Sequence, residues 1–479
     1  MMLFLPSLLA LLGGVGSLRI RSQRARNRFL MGAVTAASLA VLLLLMDGSA
    51  PDVTLLRIPP CFSLAFRVDP VNRIFLGLVA VLWPLATLYA FESMTAEDRE
   101  PRFFAFFLAS YAVTVPLALS ANLFTLYLGY ECLTLITLPL VTHREDGDSL
   151  RAGMVYLEFT VGGAALGLIC LILLAGCGVT GEFVPGGSLD PARMAGREEE
   201  LRLAFLLGFL GFGAKAAVFP LSFWLPRASV APTPVTGLLH AVAVVNAGVF
   251  ACLRLLYDGI GPAPLAGSWA QTAAQLLSVF TILAGAVMAV RERHLKRRLA
   301  WSTVYHLSYM LFSASLMTPA GLRGALTHLV FHGIMKLCLF FCSGAFLIRA
   351  GAEYLPQVRG LGRRMPRTVG CFVLAGASLT GIPPLIGFQS KWAILSAAME
   401  SGTWTAWLGA GAVLVSSVLA CVYLLEPAVQ MIFQPPESAA GSDPSGRMLL
   451  PLFLLSLCMV LFGIWTAPLA ALLQAAAPV

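Results

Sequence analysis

The stretch Leu203–His240 reads LAFLLGFLGFGAKAAVFPLSFWLPRASVAPTPVTGLLH, with Lys215 in a long apolar run five residues before Pro220. A charged side chain near the middle of a bilayer costs about 2.5–3.5 kcal/mol on insertion scales, so by default it marks an ion pathway or a buried pair. Lys215 therefore needs a partner and a role. Pro220, Pro226, Pro232 and Pro234 follow it closely. Proline removes a backbone donor and clashes with the preceding turn, so the lysine sits beside an interruption in the helix.

The rest of the chain has the same character. Of 479 residues, 58% are hydrophobic and 12% charged, and the mean hydropathy is +0.84. No ordinary soluble domain has such a composition, and the chain reads as an all-α polytopic membrane protein. A helix needs about 20 apolar residues to cross the hydrocarbon. Fourteen such stretches are drawn: 2–18, 29–46, 74–93, 103–121, 123–141, 152–176, 201–224, 229–257, 270–290, 298–316, 322–348, 368–398, 405–432 and 448–474. Each should be helical, because lipid offers the backbone no other partner. The run 2–18 has its arginines after it and not before it, as a retained first span would.

The net charge of +8 does not point to nucleic acid, because the basic residues lie in short loops and form no continuous polar face. Assigned to alternate sides of fourteen spans, 21 Lys and Arg fall on the side of Arg19 and seven on the other. The positive-inside rule then places both termini away from the cytoplasm. No connection is long enough for a separate soluble domain; the largest spans about 24 residues around 181–200, and 434–446 reads as a flexible cytoplasmic loop. The ten cysteines contain no CxxC pair and read as small buried hydrophobes. There is no motif for a redox cofactor, so the expectation is a chain with no cofactor and no metal.

The few ionisable residues inside the spans carry the function. Glu131, in LYLGYECLTLITLPL, must be paired or protonated, and Lys215 is its expected partner. In THLVFHGIMK, His328, His332 and Lys336 recur at every fourth residue and share one helix face. Two imidazoles and an amine in an apolar helix suit a proton wire. A metal site is the competing reading, but the spacing lacks a carboxylate and a lysine would repel a cation. His240, in LLHAVAVVNAGVF, could relay between Lys215 and Lys336. Lys391 follows a second interruption, Gly381, Pro383, Pro384 and Gly387, in SLTGIPPLIGFQSK; alternatively it could snorkel to the interface. Two interrupted segments in corresponding halves point to an inverted-repeat transporter. Lys296 is most simply an anchor on the basic side, His306 could join the wire, and Glu158 could act on Glu131 if its helix turns it inward.

The order Glu131, Lys215 before proline, LLHAVAVVNAGVF, LKRRLAWSTVYHLSYM, THLVFHGIMK and SLTGIPPLIGFQSK resembles the antiporter-like subunits of respiratory complex I, Mrp-type cation/proton antiporters and membrane-bound hydrogenases. The resemblance runs from FRVDPVNRIF around Asp69 onward. It implies a single transmembrane domain of about fourteen helices with two inverted five-helix repeats, about 103–257 and 270–432, each holding a broken helix. It assigns Glu131 and Lys215 to the family's glutamate–lysine pair, Lys336 to its central lysine, and Lys391 to the lysine or glutamate of the second broken helix. His240, His328 and His332 match histidines of the distal subunit of complex I, whose long lateral helix this chain is expected to lack.

The implied activity is proton translocation within a multisubunit assembly in a bacterial or archaeal-type plasma membrane, by a transport subunit with no redox site of its own. Protons, possibly Na+, other membrane subunits and the lipid bilayer are the implied partners, and nucleic acid is not. Na+/H+ antiport and proton-coupled inorganic-carbon uptake are the alternatives. Since cations favour oxygen ligands, an axis of lysine and histidine favours protons.

Overall fold

Short polar side chains open many of the long helices. Asn122, Asp146, Ser268, Thr318 and Thr403 each accept a hydrogen bond from a main-chain N–H in the first turn, satisfying donors that have no partner within the helix. The computed structural model describes residues 2–47, 51–58, 62–95, 97–179, 181–189, 194–435 and 441–477. Arg193 and parts of the 181–200 and 434–446 connections thus lie outside the described residues.

The helices are α1 (Leu5–Ser17), α2 (Gln23–Met46), α3 (Pro70–Ser93), α4 (Glu100–Ala118), α5 (Leu123–Val141), α6 (Gly147–Gly176), α7 (Glu198–Gly213), α8 (Thr233–Ala241) and α9 (Val244–Arg254). They continue as α10 (Trp269–Arg291), α11 (Leu295–Ser315), α12 (Pro319–Ala350), α13 (Pro366–Thr380), α14 (Ile386–Ser401), α15 (Trp404–Phe433), α16 (Gly446–Ile464) and α17 (Ala467–Ala476). Helix occupies part of every one of the fourteen stretches, but among the described residues only ten segments are long and apolar enough to cross a membrane by length and composition. The first and last helices are short. The segments through 198–227 and 366–401 are interrupted, and α11 is too polar, so helix length and composition do not fix the number at fourteen.

Two features depart from an all-helical reading. Val53–Ile58 (β1) and Phe62–Phe66 (β2) form an antiparallel hairpin, tied to α5 by Asn122, whose amide donates to Ser63 O at 3.0 Å. The expected helix 229–257 breaks at Val242–Ala243, although the sequence there holds neither Gly nor Pro. Ala243 N reaches back to Leu238 O at 2.9 Å, and the carbonyl of Ala241 is taken by the Asn246 side chain at 2.9 Å. The cost of the wide turn is thus offset by a side-chain hydrogen bond.

The 32-residue α12 is the axis of the bundle. It packs against α3, α8, α11, α13, α14 and α16, and nearly all of it is buried. Around it, α2, α6, α15 and α16 turn Leu, Val, Ile and Phe outward, as lipid-facing helices do. Small residues allow the closest approaches. A Cβ at Gly211 would lie 2.5 Å from Gly167 N, and one at Gly387 would lie 1.6 Å from Ser378 O, so α6 meets α7 and α14 meets α13 backbone to backbone. In the 142–146 connection, hydrogen bonds from Arg102 and then Arg99 hold the exposed Glu145 carboxyl below its ordinary value.

Candidate functional site

Helix α7 ends at Gly213, two residues before Lys215, so the lysine stands in the interruption itself and not on the helix. Side chains also bind the carbonyls at that ending. The Tyr130 hydroxyl donates to Gly211 O and Phe212 O at 3.1 and 3.3 Å, and the Trp224 indole donates to Ala214 O at 2.8 Å. Tyr130 also supplies the main-chain carbonyl that accepts from Lys215 Nζ, and its ring lies 3.4 Å beneath the ammonium. Lys215 is fully buried.

The expected direct pair with Glu131 is not formed. Among the described residues no carboxylate lies within 4.0 Å of Lys215; Glu131 is half-buried, its Oε1 has no protein partner, and Lys215 acts on it as a nearby charge. The reason is geometric: Glu131 is one residue along α5 from Tyr130, about 100° round the helix, and so faces away from the turn that carries the lysine.

The second interruption repeats the arrangement. Gly381, at φ 96°, closes α13 through hydrogen bonds of its own N–H and that of Ile382 to Ala377 O and Ser378 O. Lys391, on α14, donates to Thr380 O at 2.9 Å and to Ser417 Oγ at 2.8 Å. Thr380 is the last residue of α13, where the helix dipole presents its negative end to the ammonium. Lys391 is buried, so it does not snorkel. Lys336 donates to Leu299 O at 3.0 Å and to Ser302 Oγ on α11. Lys215, Lys336 and Lys391 are thus held by neutral oxygens, and among the described residues none of the three is ion-paired.

Between Lys336 and Lys391 lies a stack of imidazoles. The rings of His306 and His328 are nearly parallel at 11° with centroids 5.1 Å apart, and His332 stands 5.7 and 6.0 Å from them. His306 Nδ1 faces His328 Nε2 at 2.9 Å, and His328 Nδ1 faces Ser390 Oγ at 2.9 Å, one residue before Lys391. Nitrogens that point at each other share a proton; they do not converge on a common metal position. Both nitrogens of His332 and of His240 are buried with no protein partner among the described residues. His240 packs on Phe340, one turn beyond Lys336, at 4.9 Å. Buried polar atoms of this kind are ordinarily satisfied by ordered water.

The remaining sequence expectations fare unequally. His306 belongs to the stack. Lys296 is buried on the first turn of α11, among Arg144, Glu353 and Glu97, and is no exposed anchor. Glu158 is exposed, since α6 buries Tyr156, Thr160 and Gly163 and residue 158 lies some 200° round from Tyr156; it does not turn inward to act on Glu131. Sequence reasoning passed over Tyr130, Ser390 and Ser417, the last visible as the pair Ser416–Ser417 in an apolar run. It also passed over a cluster at the arginine-poor end. Arg254 is buried between Asp258, at 2.7 Å, and Asp69, which also caps α3 through Asn72. The i,i+4 spacing of Arg254 and Asp258 was the available signal.

The chain is similar to known proteins along its whole length. It is 31% identical over 475 residues to NADH-quinone oxidoreductase subunit N of Desulforudis audaxviator (strain MP104C), covering 91% of each. It is 31% identical over 356 residues to hydrogenase-4 component B of Escherichia coli (strain K12), a match that covers 70% of this chain but only 52% of that longer protein. Its fold matches a chain of the membrane-bound sulfane sulfur reductase, an archaeal respiratory membrane complex, with a TM-score of 0.84 over 99% of this chain and 96% of the other at 23% identity. Residues 120–420 match the family described as NADH:quinone oxidoreductase/Mrp antiporter, transmembrane. The chain belongs to that family, as an antiporter-like multi-pass membrane protein.

Proposed function

We propose that this chain moves protons along the buried axis Glu131, Lys215, His240, Lys336, His332, His328, His306 and Lys391, as a transport subunit of a multisubunit membrane complex of the complex I-like, membrane-bound hydrogenase or Mrp type. The observation that carries the reading is that three fully or nearly fully buried lysines are all held by carbonyl and hydroxyl oxygens and not by carboxylates. A structural lysine would be locked by an ion pair, because an uncompensated buried charge is costly. An ammonium held by neutral oxygens can give up its proton and keep its place.

In the proposed cycle, a turn of the Lys215 side chain from Tyr130 O to Glu131 stabilises its protonated form. Return to Tyr130 releases the proton toward His240 and Lys336. The two interrupted segments, in halves of about 103–257 and 270–432, are the paired gates of this path. Lys296, a turn and a half before Ser302 on α11, lies on the route from the arginine-rich face to Lys336. That face is the cytoplasmic one of a bacterial or archaeal-type plasma membrane, with both termini opposite.

The test is flux in liposomes holding the complex, with Na+ or K+ replaced by an impermeant cation. Proton flux that persists supports the reading; flux that stops without Na+ assigns the axis to Na+/H+ exchange. Unchanged activity after combined neutralisation of Glu131, Lys215, Lys336 and Lys391 would reduce the chain to a scaffold.

A further inference from the structure

At the arginine-rich ends of α2, α3 and α16 lies a groove of about 740 Å³. Arg24 and Arg28, one turn apart at the start of α2, and Arg447, at the start of α16, form its rim. Met31 and Phe91 form an apolar floor, and the amide oxygen of Asn27 on its wall is buried without a protein partner. Some arginines on this face are neutralised: Arg26 by Glu100 at 2.7 Å, Arg144 by Glu97 at 2.5 Å, Arg298 by Glu426 at 2.9 Å. The three rim arginines have no carboxylate within 4.0 Å among the described residues. Among the described residues no acid lines the groove, and on the same face Glu92 is engaged with Ser445 and Glu100 with Arg26 and Gln23.

Three free positive charges at helix ends mark the headgroup level of a bilayer. Below them the outer face of α2 exposes Phe29, Ala36 and Leu39, an apolar surface at about the half-bilayer depth that acyl chains reach. A free phosphate would use only the rim, and an acidic peptide would leave its polar backbone on Met31 and Phe91. We propose that the groove binds the phosphodiester headgroup of an anionic phospholipid, with the acyl chains along α2. The assignment does not depend on the ion the axis carries.

The test is native mass spectrometry of the full-length chain in mild detergent, titrated with phosphatidylglycerol, phosphatidylcholine or inorganic phosphate. Phosphatidylglycerol is retained, phosphatidylcholine is not, and millimolar inorganic phosphate does not displace the lipid. The variant R24Q/R28Q/R447Q, all exposed positions, loses retention by about tenfold or more at an unchanged unfolding midpoint. The variant R291Q/R359Q/R363Q removes the same charge from sites elsewhere on this face and retains the lipid. Equal loss in both variants, equal retention of phosphatidylcholine, or displacement by inorganic phosphate overturns the proposal. So does the assembled complex shedding a partner protein from R24Q/R28Q/R447Q while its lipid content stays the same.

Discussion

Lys215 Nζ donates to the main-chain oxygen of Tyr130 and not to the carboxylate of Glu131, the next residue along α5. The lysine is therefore held by a neutral acceptor, while the carboxyl one residue along the same helix acts on it only as a nearby charge. An amine that can exchange a neutral acceptor for an anionic one changes its proton affinity without any helix moving.

Glu131→Gln keeps the shape and removes the charged acceptor. Proton flux in the reconstituted complex is expected to fall by about tenfold or more, the factor that roughly 1.4 kcal/mol of lost charge interaction represents. The unfolding midpoint should hardly move, because Glu131 makes no direct ion pair in this arrangement.

Gly248 on α9 faces the Lys215 turn so closely that a Cβ would lie 2.6 Å from Ala216 N and 2.9 Å from Lys215 Cβ. Gly248→Ala should cost about 1–3 kcal/mol of stability and depress flux, although Lys215 is chemically intact. Gly370→Ala on α13 meets nothing within 4 Å and should be neutral or stabilising by about 0.5–1 kcal/mol. Thermal unfolding of the two variants separates close approach from helix propensity.

Ser390→Ala removes the hydroxyl that faces His328 Nδ1. Flux is expected to fall roughly two- to tenfold, the worth of one net hydrogen bond, with assembly unchanged. Flux equal to that of the unaltered complex would show that protons leave the imidazole stack by another side.

Arg254→Met leaves Asp69 and Asp258 facing each other without their cation. A destabilisation of about 3–5 kcal/mol is expected, largely recovered in the triple variant R254M/D69N/D258N. Unfolding midpoints measured side by side check it.

Much of this was legible in the sequence, and what was not has physical causes. Lys215, Lys336 and Lys391 stood out because a cation in an apolar run is costly, and both interruptions were announced by proline and glycine. The break at Val242–Ala243 was not, because HAVAVVNAG reads as a continuous helix and the device that stabilises the break, the Asn246 side chain on Ala241 O, is a tertiary detail. Each lysine is held in part by a main-chain carbonyl, that of Tyr130, Leu299 or Thr380, a group that every residue possesses and no pattern marks. Which way Glu158 faces was not legible because α6 has apolar residues on all sides, so periodicity could not say which face turned inward.

The central claim is that the proton passes through Lys215. Proton flux into liposomes bearing the complex with Lys215→Ala measures this most directly. A fully assembled complex whose flux drops to that of liposomes without protein is expected; normal flux in an assembled complex would rule out a path through Lys215.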